Sequence, residues 1–304
     1  MDKPITIISI LLVLLIGASI GLRYFGEEPV LVSENKNTNE TLNTLPEFEI
    51  KFVGESSSSG GDSSVSSENE PTIAVAAGAY LLSGEKISGW KTEKHWPIAS
   101  ITKLMTAFVT NLTMEPAEEI LITQTAVDTI GESGGLMVGE SFQARDLIKA
   151  MLIVSSNDSA VALAEHYGSI EFVELMNQAA QEVGMENTRF VEPTGLSSQN
   201  QSTIEDLVKF VAYIWKEDRN LFEISRRSTD FIVDMNAGVA RQLTSINAFA
   251  GRGDFLGGKT GSIPASDGNL VSIFSVPGKA EPIIIVVFGS KDRFGETINI
   301  LTNL

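Results

Sequence analysis

The sequence predicts an α+β fold, with an antiparallel sheet layered by helices. Residues 72–82 and 87–92 are rich in β-prone side chains, and residues 268–276 and 282–289 have the same character near the C-terminus. Between these stretches, apolar residues recur at helical spacing. Because strands stand at both ends with helices inserted between them, we expect a mixed domain that carries a mostly helical subdomain.

Composition indicates a globular protein with a substantial core. The chain has 304 residues, of which 43% are apolar and 20% are charged, enough for one or two domains. Its 39 acidic and 22 basic residues give a net charge of −17 without any basic run. This argues against nucleic acid as a partner, because phosphate groups are bound by clustered Lys and Arg. With no cysteine and only His95 and His166, which are isolated, we predict no disulfide, no metal site and no cofactor.

Residues 1–25 are predicted to form a transmembrane anchor or a signal segment. Residues 5–22 carry no charge and are bounded by Lys3 and Arg23. At about 1.5 Å per residue, a helix of this length nearly spans the ~30 Å hydrocarbon core of a bilayer. The run exceeds the usual apolar region of a signal peptide, and no clear small-x-small cleavage site follows it, so we favour an uncleaved anchor.

Residues 26–70 have the composition of a flexible linker. The segment holds ten acidic residues and two lysines, and residues 56–67 are almost wholly Ser, Gly and Asp. It contains too little apolar surface to offset the entropy that ordering would cost. The folded domain is therefore predicted to cover residues 71–304.

Turn and capping signals predict the order of elements in the folded domain. Residues 83–86 form a turn between the first two strands, and this hairpin leads directly into an apolar helix. Further helices are predicted over residues 146–154, 158–167, 170–183 and 202–215, the last opened by the capping box Ser202-Thr-Ile-Glu205. Strands follow over 231–235, 268–276 and 282–289, and Asp292 can cap a closing helix.

Ser100 and Lys103 form the candidate catalytic pair. On a helix, residues three apart are neighbours with Cβ atoms about 5–6 Å apart, so the lysine can take the proton of the serine hydroxyl. Pro97 suits the first turn of a helix, which would place Ser100 near the positive end of the helix dipole. The same spacing occurs at Ser33/Lys36, Ser83/Lys86 and Ser88/Lys91. Only the pair at Ser100 is followed by helical apolar spacing, so context and not spacing favours it.

Two further motifs help to decide whether Ser100 and Lys103 belong to a catalytic site. Ser155-Ser-Asn157 separates two apolar helices, where a polar break is by itself more typical of an ordinary connection. Lys259-Thr-Gly261 precedes the C-terminal strand pair, and its glycine would let a substrate backbone approach along an edge strand. Together with the Ser100 motif, in this order and at separations of 55 and about 100 residues, the motifs become specific.

On these motifs, residues 71–304 closely resemble the penicillin-recognising serine acyl-transfer enzymes. Within that group they are similar to the D-alanyl-D-alanine carboxypeptidase family, the low-molecular-mass penicillin-binding proteins of serine peptidase family S11. The likeness extends to the sequences around the motifs, at residues 97–107, 146–165 and 184–196. It implies a β-lactamase/transpeptidase-like fold and a serine D-Ala-D-Ala carboxypeptidase that acts on peptidoglycan stem peptides.

The resemblance implies a role for each residue of the first two motifs. Ser100 would attack the carbonyl carbon of a D-Ala-D-Ala amide and form an acyl-enzyme, with neutral Lys103 as the base. Ser155 would relay a proton to the leaving amine. Asn157 would orient Lys103 and the substrate amide.

The third motif would bind the substrate. By resemblance, Lys259 and Thr260 receive the substrate carboxylate, and Gly261 allows the substrate backbone to approach. The backbone N–H groups of Ser100 and Ser262 would form an oxyanion hole. The ammonium group of Lys259, together with burial, would favour the neutral form of the catalytic lysine.

Some positions depart from the family pattern and leave alternatives open. The family usually has glycine at Ser156, threonine at Ile263, a basic residue at Pro282 and asparagine at Glu192. The changes at Ile263 and Pro282 remove polar groups that could hold a terminal carboxylate, so a D,D-endopeptidase of peptidoglycan cross-links is an alternative. A β-lactamase-type hydrolase is another, because the stretch around Glu192 is faintly similar to the loop that carries a deacylating glutamate. A structural role for Glu192 is the preferred interpretation.

The resemblance also implies partners and a location. The expected substrate is a peptidoglycan pentapeptide, and β-lactam antibiotics are the expected inhibitors. The enzyme would serve cell wall biogenesis and cell shape at the bacterial cell membrane. Its catalytic domain would lie outside the cytoplasm, in the periplasm or at the cell exterior, with the N-terminal segment as anchor.

Overall fold

A computed structural model of the chain describes residues 74–131 and 135–304. The predicted anchor at 1–25 and the predicted linker at 26–70 lie outside these residues, so both stay predictions. Within the described ranges, no helix combines the length and the apolar character that a membrane span requires.

The described strands group into one central sheet and several short pairs. In chain order the strands are β1 (Ala76–Leu81), β2 (Lys86–Trp90), β3 (Trp96–Pro97), β4 (Glu119–Leu121), β5 (Ser141–Gln143), β6 (Gln201–Ser202), β7 (Thr229–Val233), β8 (Ala240–Thr244), β9 (Phe255–Ile263), β10 (Asp267–Phe274) and β11 (Ile283–Ser290). The helices are α1 (Thr102–Thr113), α2 (Gln124–Val127), α3 (Ala144–Ile153), α4 (Asn157–Tyr167), α5 (Ser169–Val183), α6 (Ile204–Glu217), α7 (Asn220–Ser225) and α8 (Arg293–Thr302).

The central sheet is antiparallel, with the strand order β2-β1-β11-β10-β9. All residues of β11 are buried, whereas all residues of the edge strand β2 are exposed. The composition of β11, Ile-Ile-Ile-Val-Val-Phe-Gly-Ser, explains its place, because a strand covered on both faces is apolar along its whole length. The predicted α+β fold with an antiparallel sheet is confirmed.

Helices cover both faces of this sheet. Phe294 and Ile300 of α8 pack on the apolar cluster around Phe274 and Ile285. The other face contacts α6, because a Cβ atom built on Gly78 would lie 3.3 Å from the side chain of Ile204. Gly78 pairs with Val286, which follows Ile285 in β11. Side chains of neighbouring residues in a strand point to opposite faces, so Val286 and Ile285 face different layers. The sheet is thus the middle layer of the domain.

The start of α1 differs from the prediction at Pro97. Pro97 belongs to β3 and pairs with Gln201, so it does not open a helix. A 3₁₀ turn over Ala99–Ile101 comes next, and α1 begins only at Thr102. The prediction for Pro97 was wrong because strand pairing outweighed its preference for a first helical turn. The candidate pair Ser100 and Lys103 is unaffected, since side chains at i and i+3 also lie above one another in a 3₁₀ turn.

The predicted capping box before α6 is shifted by one residue. The cap is Thr203, whose hydroxyl accepts a hydrogen bond from the N–H of Asp206 at 3.2 Å. Ser202 pairs with Trp96 in the short β3-β6 ladder and cannot serve as the cap. The helices α8 and α4 also have side-chain caps. Asp292 caps α8 as predicted, and Ser156 caps α4 by accepting from the N–H of Ser159.

Candidate active site

Ser100 and Lys103 lie side by side where the 3₁₀ turn meets α1. The Nζ atom of Lys103 is 2.9 Å from the Oγ atom of Ser100, and the lysine side chain is fully buried. Ala99, the residue before the serine, has a φ of +50°, a conformation that residues with a side chain rarely adopt. Such local strain is concentrated at functional sites, because packing around the site must maintain it.

The other partners of Lys103 determine how its amine can act. Its Nζ atom donates to Asn157 Oδ1 at 2.7 Å and to the carbonyl oxygen of Thr194 at 2.6 Å. Amide and carbonyl oxygens can only accept hydrogen bonds, so these two oxygens take N–H groups of the lysine. In a neutral amine, the lone pair is then left for the hydroxyl of Ser100. The arrangement can therefore move the serine proton to the lysine.

Asn157 is itself held in one orientation. Its Nδ2 atom donates to the carbonyl oxygen of Ile130 at 3.0 Å, which fixes Oδ1 on the side of Lys103. Asn157 is the first residue of α4, and the Ser156 cap sets the start of that helix. The serine that stands in place of the family's glycine thus has a structural function, with a cap worth about 1 kcal/mol relative to alanine.

Ser155 and Lys259 form a second serine–lysine pair. Ser155 has a φ of +61° and is buried. Lys259, also buried, donates from Nζ to Ser155 Oγ at 2.9 Å and to the carbonyl oxygen of Thr260 at 2.8 Å. The Lys-Thr-Gly motif lies inside the edge strand β9, and it precedes the paired strands β10 and β11 as predicted.

Close backbone contacts join β9 and the loop after α5 to Ser100. A Cβ atom on Gly261 would lie 3.1 Å from the backbone nitrogen of Ser100, and one on Gly195 would lie 2.0 Å from the carbonyl oxygen of Ala99. Gly195 also has a φ of +87°. Glycine is therefore required at both positions, since any side chain would displace the turn that carries the serine.

These contacts bring all eight residues of the three motifs to one place. A cavity of about 340 Å³ lies above them. We call the buried polar group at its base the floor, which consists of Ser100, Lys103, Ser155, Asn157 and Lys259. Thr260, Gly261 and Ser262 line one side of the cavity. The positions of the predicted residues agree with the sequence, while their roles stay proposals.

Glu192 stabilises the loop that contacts Lys103 of the floor. Its carboxylate accepts hydrogen bonds from the N–H groups of Thr194, Gly195 and Ser197, from the hydroxyl of Thr194 and from the Asn200 amide. These contacts fix the loop whose Thr194 carbonyl receives Lys103. The structural interpretation of Glu192 agrees with this geometry.

Arg293 is a site residue that the sequence did not reveal. It is the first residue of α8 and lines the cavity, and its Nη1 atom donates to the carbonyl oxygen of Gly261 at 3.2 Å. Pro282, at the position where the family has a basic residue, comes just before β11. Ser290 is at the other end of β11 and lies beside Arg293. The eight residues of β11, at about 3.3 Å each, therefore separate Pro282 from Arg293. The cavity therefore has a cation, which is supplied by α8 and not by the start of β11.

Asp158, next to Asn157, is the most perturbed acid near the floor. Its side chain is fully buried, and neither carboxylate oxygen has a hydrogen bond of good geometry. Burial raises its pKa to about 6, although the nearby N–H groups of Leu136 and of Asp158 itself lower it. Among the described residues, no cluster of three or more His, Cys, Asp or Glu side chains could hold a metal ion.

Comparison with known proteins identifies the family. The Peptidase S11 family model, described as D-alanyl-D-alanine carboxypeptidase, matches residues 64–292. A D-alanyl-D-alanine endopeptidase of Pseudomonas aeruginosa is 43% identical over 120 residues, which cover 38% of this chain and 38% of that protein. The D-alanyl-D-alanine carboxypeptidase DacC of Escherichia coli is 29% identical over 255 residues, or 75% of this chain and 61% of that protein.

A solved structure shows the same fold. The crystal structure of the Streptomyces K15 DD-transpeptidase superposes with a TM-score of 0.69 at 25% identity, and covers 77% of this chain and 98% of that chain. The β-lactamase/transpeptidase-like fold is thereby confirmed. Because the family model matches three quarters of the sequence and the motif residues meet around one cavity, the chain belongs to the D-alanyl-D-alanine carboxypeptidase family of serine peptidases, S11.

Proposed function

We propose that the protein is a serine D-Ala-D-Ala carboxypeptidase that cleaves peptidoglycan stem peptides through an acyl-enzyme on Ser100. The observation that carries this proposal is the 2.9 Å approach of Lys103 Nζ to Ser100 Oγ, fixed by Asn157 and the Thr194 carbonyl. Positioning a base against a nucleophile is the main requirement of covalent catalysis by a hydroxyl.

In the acylation step, Ser100 Oγ attacks the carbonyl carbon of the penultimate D-Ala, and its proton passes to Lys103. The oxyanion of the tetrahedral intermediate receives hydrogen bonds from the backbone N–H groups of Ser100 and Ser262. The C–N bond then breaks, and the leaving amine of the terminal D-Ala takes up a proton through Ser155. An ester on Ser100 results, and the addition of water to it releases the shortened peptide.

Arg293 and Lys259 provide the binding site for the terminal carboxylate in this proposal. Arg293 and Ser262 line the cavity, and Lys259 lies in β9 next to Thr260, which also lines it. Charge-assisted hydrogen bonds to a carboxylate are about twice as strong as neutral ones. The presence of Arg293 offsets the loss of the threonine hydroxyl at Ile263 and favours a substrate that ends in a free carboxylate.

A D,D-endopeptidase is the second candidate, supported by the relatives. Relatives named D-alanyl-D-alanine endopeptidase, from Pseudomonas aeruginosa and Escherichia coli, are 43% and 42% identical to this chain over 120 residues. The match covers 38% of each relative's length, so their activity is a candidate and not a conclusion. The apolar Ile263 at the cavity also fits a substrate without a terminal carboxylate.

Two assays test the proposal with the full chain, purified in detergent. Fluorescent penicillin should label the wild type stably and leave Ser100→Ala unlabelled. An unlabelled wild type would refute acyl transfer, and label lost within seconds would indicate the β-lactamase alternative. Release of free D-alanine from a D-Ala-D-Ala peptide, compared with cleavage of a cross-linked dimer, separates carboxypeptidase from endopeptidase.

For the cellular setting, we propose that residues 1–25 anchor the protein in the bacterial cell membrane and that residues 26–70 tether the catalytic domain outside the cytoplasm. The 18-residue uncharged run supports the anchor, and the acidic, Ser-rich composition supports the tether. Protease added to intact spheroplasts should then degrade the catalytic domain, and a protected domain would contradict this orientation.

A further inference from the structure

The hairpin of β7 and β8 is a two-stranded sheet whose strands pair with no other described strand. Its ladder is fixed by a backbone hydrogen bond from the N–H of Asp234 to the carbonyl oxygen of Val239 at 3.0 Å. Hydrogen-bonded pairs alternate with non-bonded pairs along an antiparallel ladder. Every second residue of each strand therefore directs its backbone N–H and C=O groups away from the hairpin. In β7 these residues are Thr229, Phe231 and Val233, and in β8 they are Ala240, Gln242 and Thr244.

The outer edge of β7 is occupied by side chains. The N–H of Val233 donates to the carboxylate of Asp146 in α3 at 3.2 Å, and the N–H of Phe231 donates to the carboxylate of Asp230 at 2.7 Å. The carbonyl oxygen of Phe231 accepts from Lys149, also in α3, at 3.2 Å. A further strand could pair with this edge only by displacing these contacts.

The outer edge of β8 is open. Ala240, Gln242 and Thr244 are exposed, and within the described part of the chain no hydrogen bond reaches their backbone from outside the hairpin. Proline and outward-facing charge, which commonly protect a strand edge, are both absent from β8. Its one charged residue, Arg241, is paired with Glu140 at 2.6 Å. An unprotected edge of this kind is a template for the addition of another strand.

The same edge of a second copy is complementary to it. Two copies of β8 can run antiparallel about a twofold axis at Gln242, so that Ala240 of each copy pairs with Thr244 of the other. In this register the outward backbone groups of both strands face one another and form about six hydrogen bonds, two for each pair. Arg241 then lies opposite Leu243 of the second copy, so like charges are not opposed.

The charge of the hairpin also favours a second copy as the occupant. The chain has a net charge of −17, so two copies repel each other wherever acidic residues meet, and an anionic lipid surface would repel the chain as well. The solvent-facing side of the hairpin has no charged residue, and its apolar members Phe231 and Val233 are 52% and 42% exposed. Two copies can therefore approach at this hairpin without a repulsive contact.

We propose that β8 is a self-association edge, through which two copies of the chain join by antiparallel pairing of Ala240–Thr244. The product is a four-stranded sheet with the strand order β7-β8-β8-β7. This inference is independent of the proposed catalytic function. A five-residue edge is small beside the roughly 800 Å² that each partner buries in a stable interface, so the dimer is weak in dilute solution and is best detected by covalent trapping.

A single introduced cysteine can trap this dimer, because the chain has no cysteine of its own. In Gln242→Cys the two Cα atoms would lie about 5.5 Å apart across the axis, a separation that a disulfide can bridge. After mild oxidation of the full chain in detergent, we expect about tenfold more disulfide-linked dimer than for Thr229→Cys, an exposed position on β7. Equal yields from the two variants would overturn the proposal.

Ala240→Cys and Thr244→Cys test the register. Each sulfur alone would be displaced from its own copy by four residues, or about 13 Å along the strand, so each variant should form little disulfide by itself. A mixture of the two variants should form a linked heterodimer in a yield similar to that of Gln242→Cys. A mixture that forms no more dimer than the separate variants would refute pairing about Gln242.

Gln242→Pro, added to both members of that mixture, should abolish the heterodimer. Proline removes the outward N–H, which the hairpin itself does not use. Gln242→Lys is a second variant that keeps the backbone intact and sets two like charges on the axis. A circular dichroism spectrum like that of the wild type verifies that each variant is folded. An undiminished yield of heterodimer in both folded variants would contradict the proposal.

Discussion

The floor of the cavity and its apolar rim, which consists of Ile130, Leu196, Ile246 and Ile263, differ in both burial and polarity. Lys103 and Lys259 in the floor are 0% and 1% exposed, and each has hydrogen-bond partners at 2.6–2.9 Å. Ile130 in the rim is apolar and 83% exposed. Buried polar groups are tolerated only when their hydrogen-bond partners are in place, whereas exposed apolar surface is stabilised only when something covers it. The polar groups of the floor therefore have their partners within the protein, while the apolar side chains of the rim are left exposed.

The comparison predicts that changes in the floor have the largest effects. Lys103→Met removes the base but keeps the length of the side chain, so the rate of acylation by penicillin should fall about 10²–10⁴-fold. The control is Lys94→Met, which replaces an exposed lysine before α1. Stopped-flow measurement with fluorescent penicillin checks this. Wild-type kinetics in a folded Lys103→Met protein would exclude the lysine as the base.

Arg293 lines the cavity, and its substitution should have an intermediate effect. Arg293→Gln should lower kcat/KM about 10–100-fold for a peptide with a terminal carboxylate, mainly through KM, because a hydrogen bond to a charged group is lost. A peptide with a terminal amide should be nearly unaffected. Equal losses for both peptides would show that Arg293 only supports Gly261.

Much of the floor could be predicted from sequence, and the reason lies in its motifs. Ser100 and Lys103 are three residues apart across the junction of the 3₁₀ turn and α1, and Lys259, Thr260 and Gly261 are contiguous in β9, so local spacing already places them together. The order of the three motifs along the chain indicated that Ser155 and Asn157 belong to the same site.

The site residues that were not predicted from the sequence belong to no recognisable local motif. Thr194 contributes a backbone carbonyl, which any residue type could provide. Arg293 reaches the site from α8, and Ile246 from the loop after β8, so only the tertiary fold brings them to the cavity. The prediction that Pro97 opens the helix was wrong because β3 pairs with β6, a contact between residues about 100 positions apart.

Glu192 should affect stability and not turnover. Glu192→Gln removes acceptors from several converging N–H groups, so the free energy of unfolding should fall by about 2 kcal/mol. The lifetime of the penicillin acyl-enzyme should stay within about twofold of the wild type. Glu186→Gln, at an exposed glutamate before the same loop, is the control. A greatly lengthened acyl-enzyme with unchanged stability would instead identify Glu192 as a deacylation base.

Asp158 should give the smallest effect, one that depends on pH. The folded protein keeps its proton up to a pH of about 6, whereas the unfolded chain releases it near the ordinary value of 3.8. The folded state therefore binds more protons in this window, and stability falls as the pH rises through it. Asp158→Asn should thus raise the free energy of unfolding on the order of 1 kcal/mol at pH 8 and change it little at pH 4.

Urea denaturation at both pH values measures this effect, with the exposed Asp128→Asn as control. A stabilisation of equal size at pH 4 and pH 8 would contradict the account of a buried carboxyl that titrates near pH 6.

The most direct test of the central claim is to locate the covalent adduct. The full chain is treated with benzylpenicillin, quenched in acid and digested, and the modified peptide is sequenced by mass spectrometry. We expect one penicilloyl ester, on Ser100, which is absent from Ser100→Ala and strongly reduced in Lys103→Met. An adduct on another residue, or none in the folded wild type, would contradict the assignment of the floor as the catalytic centre.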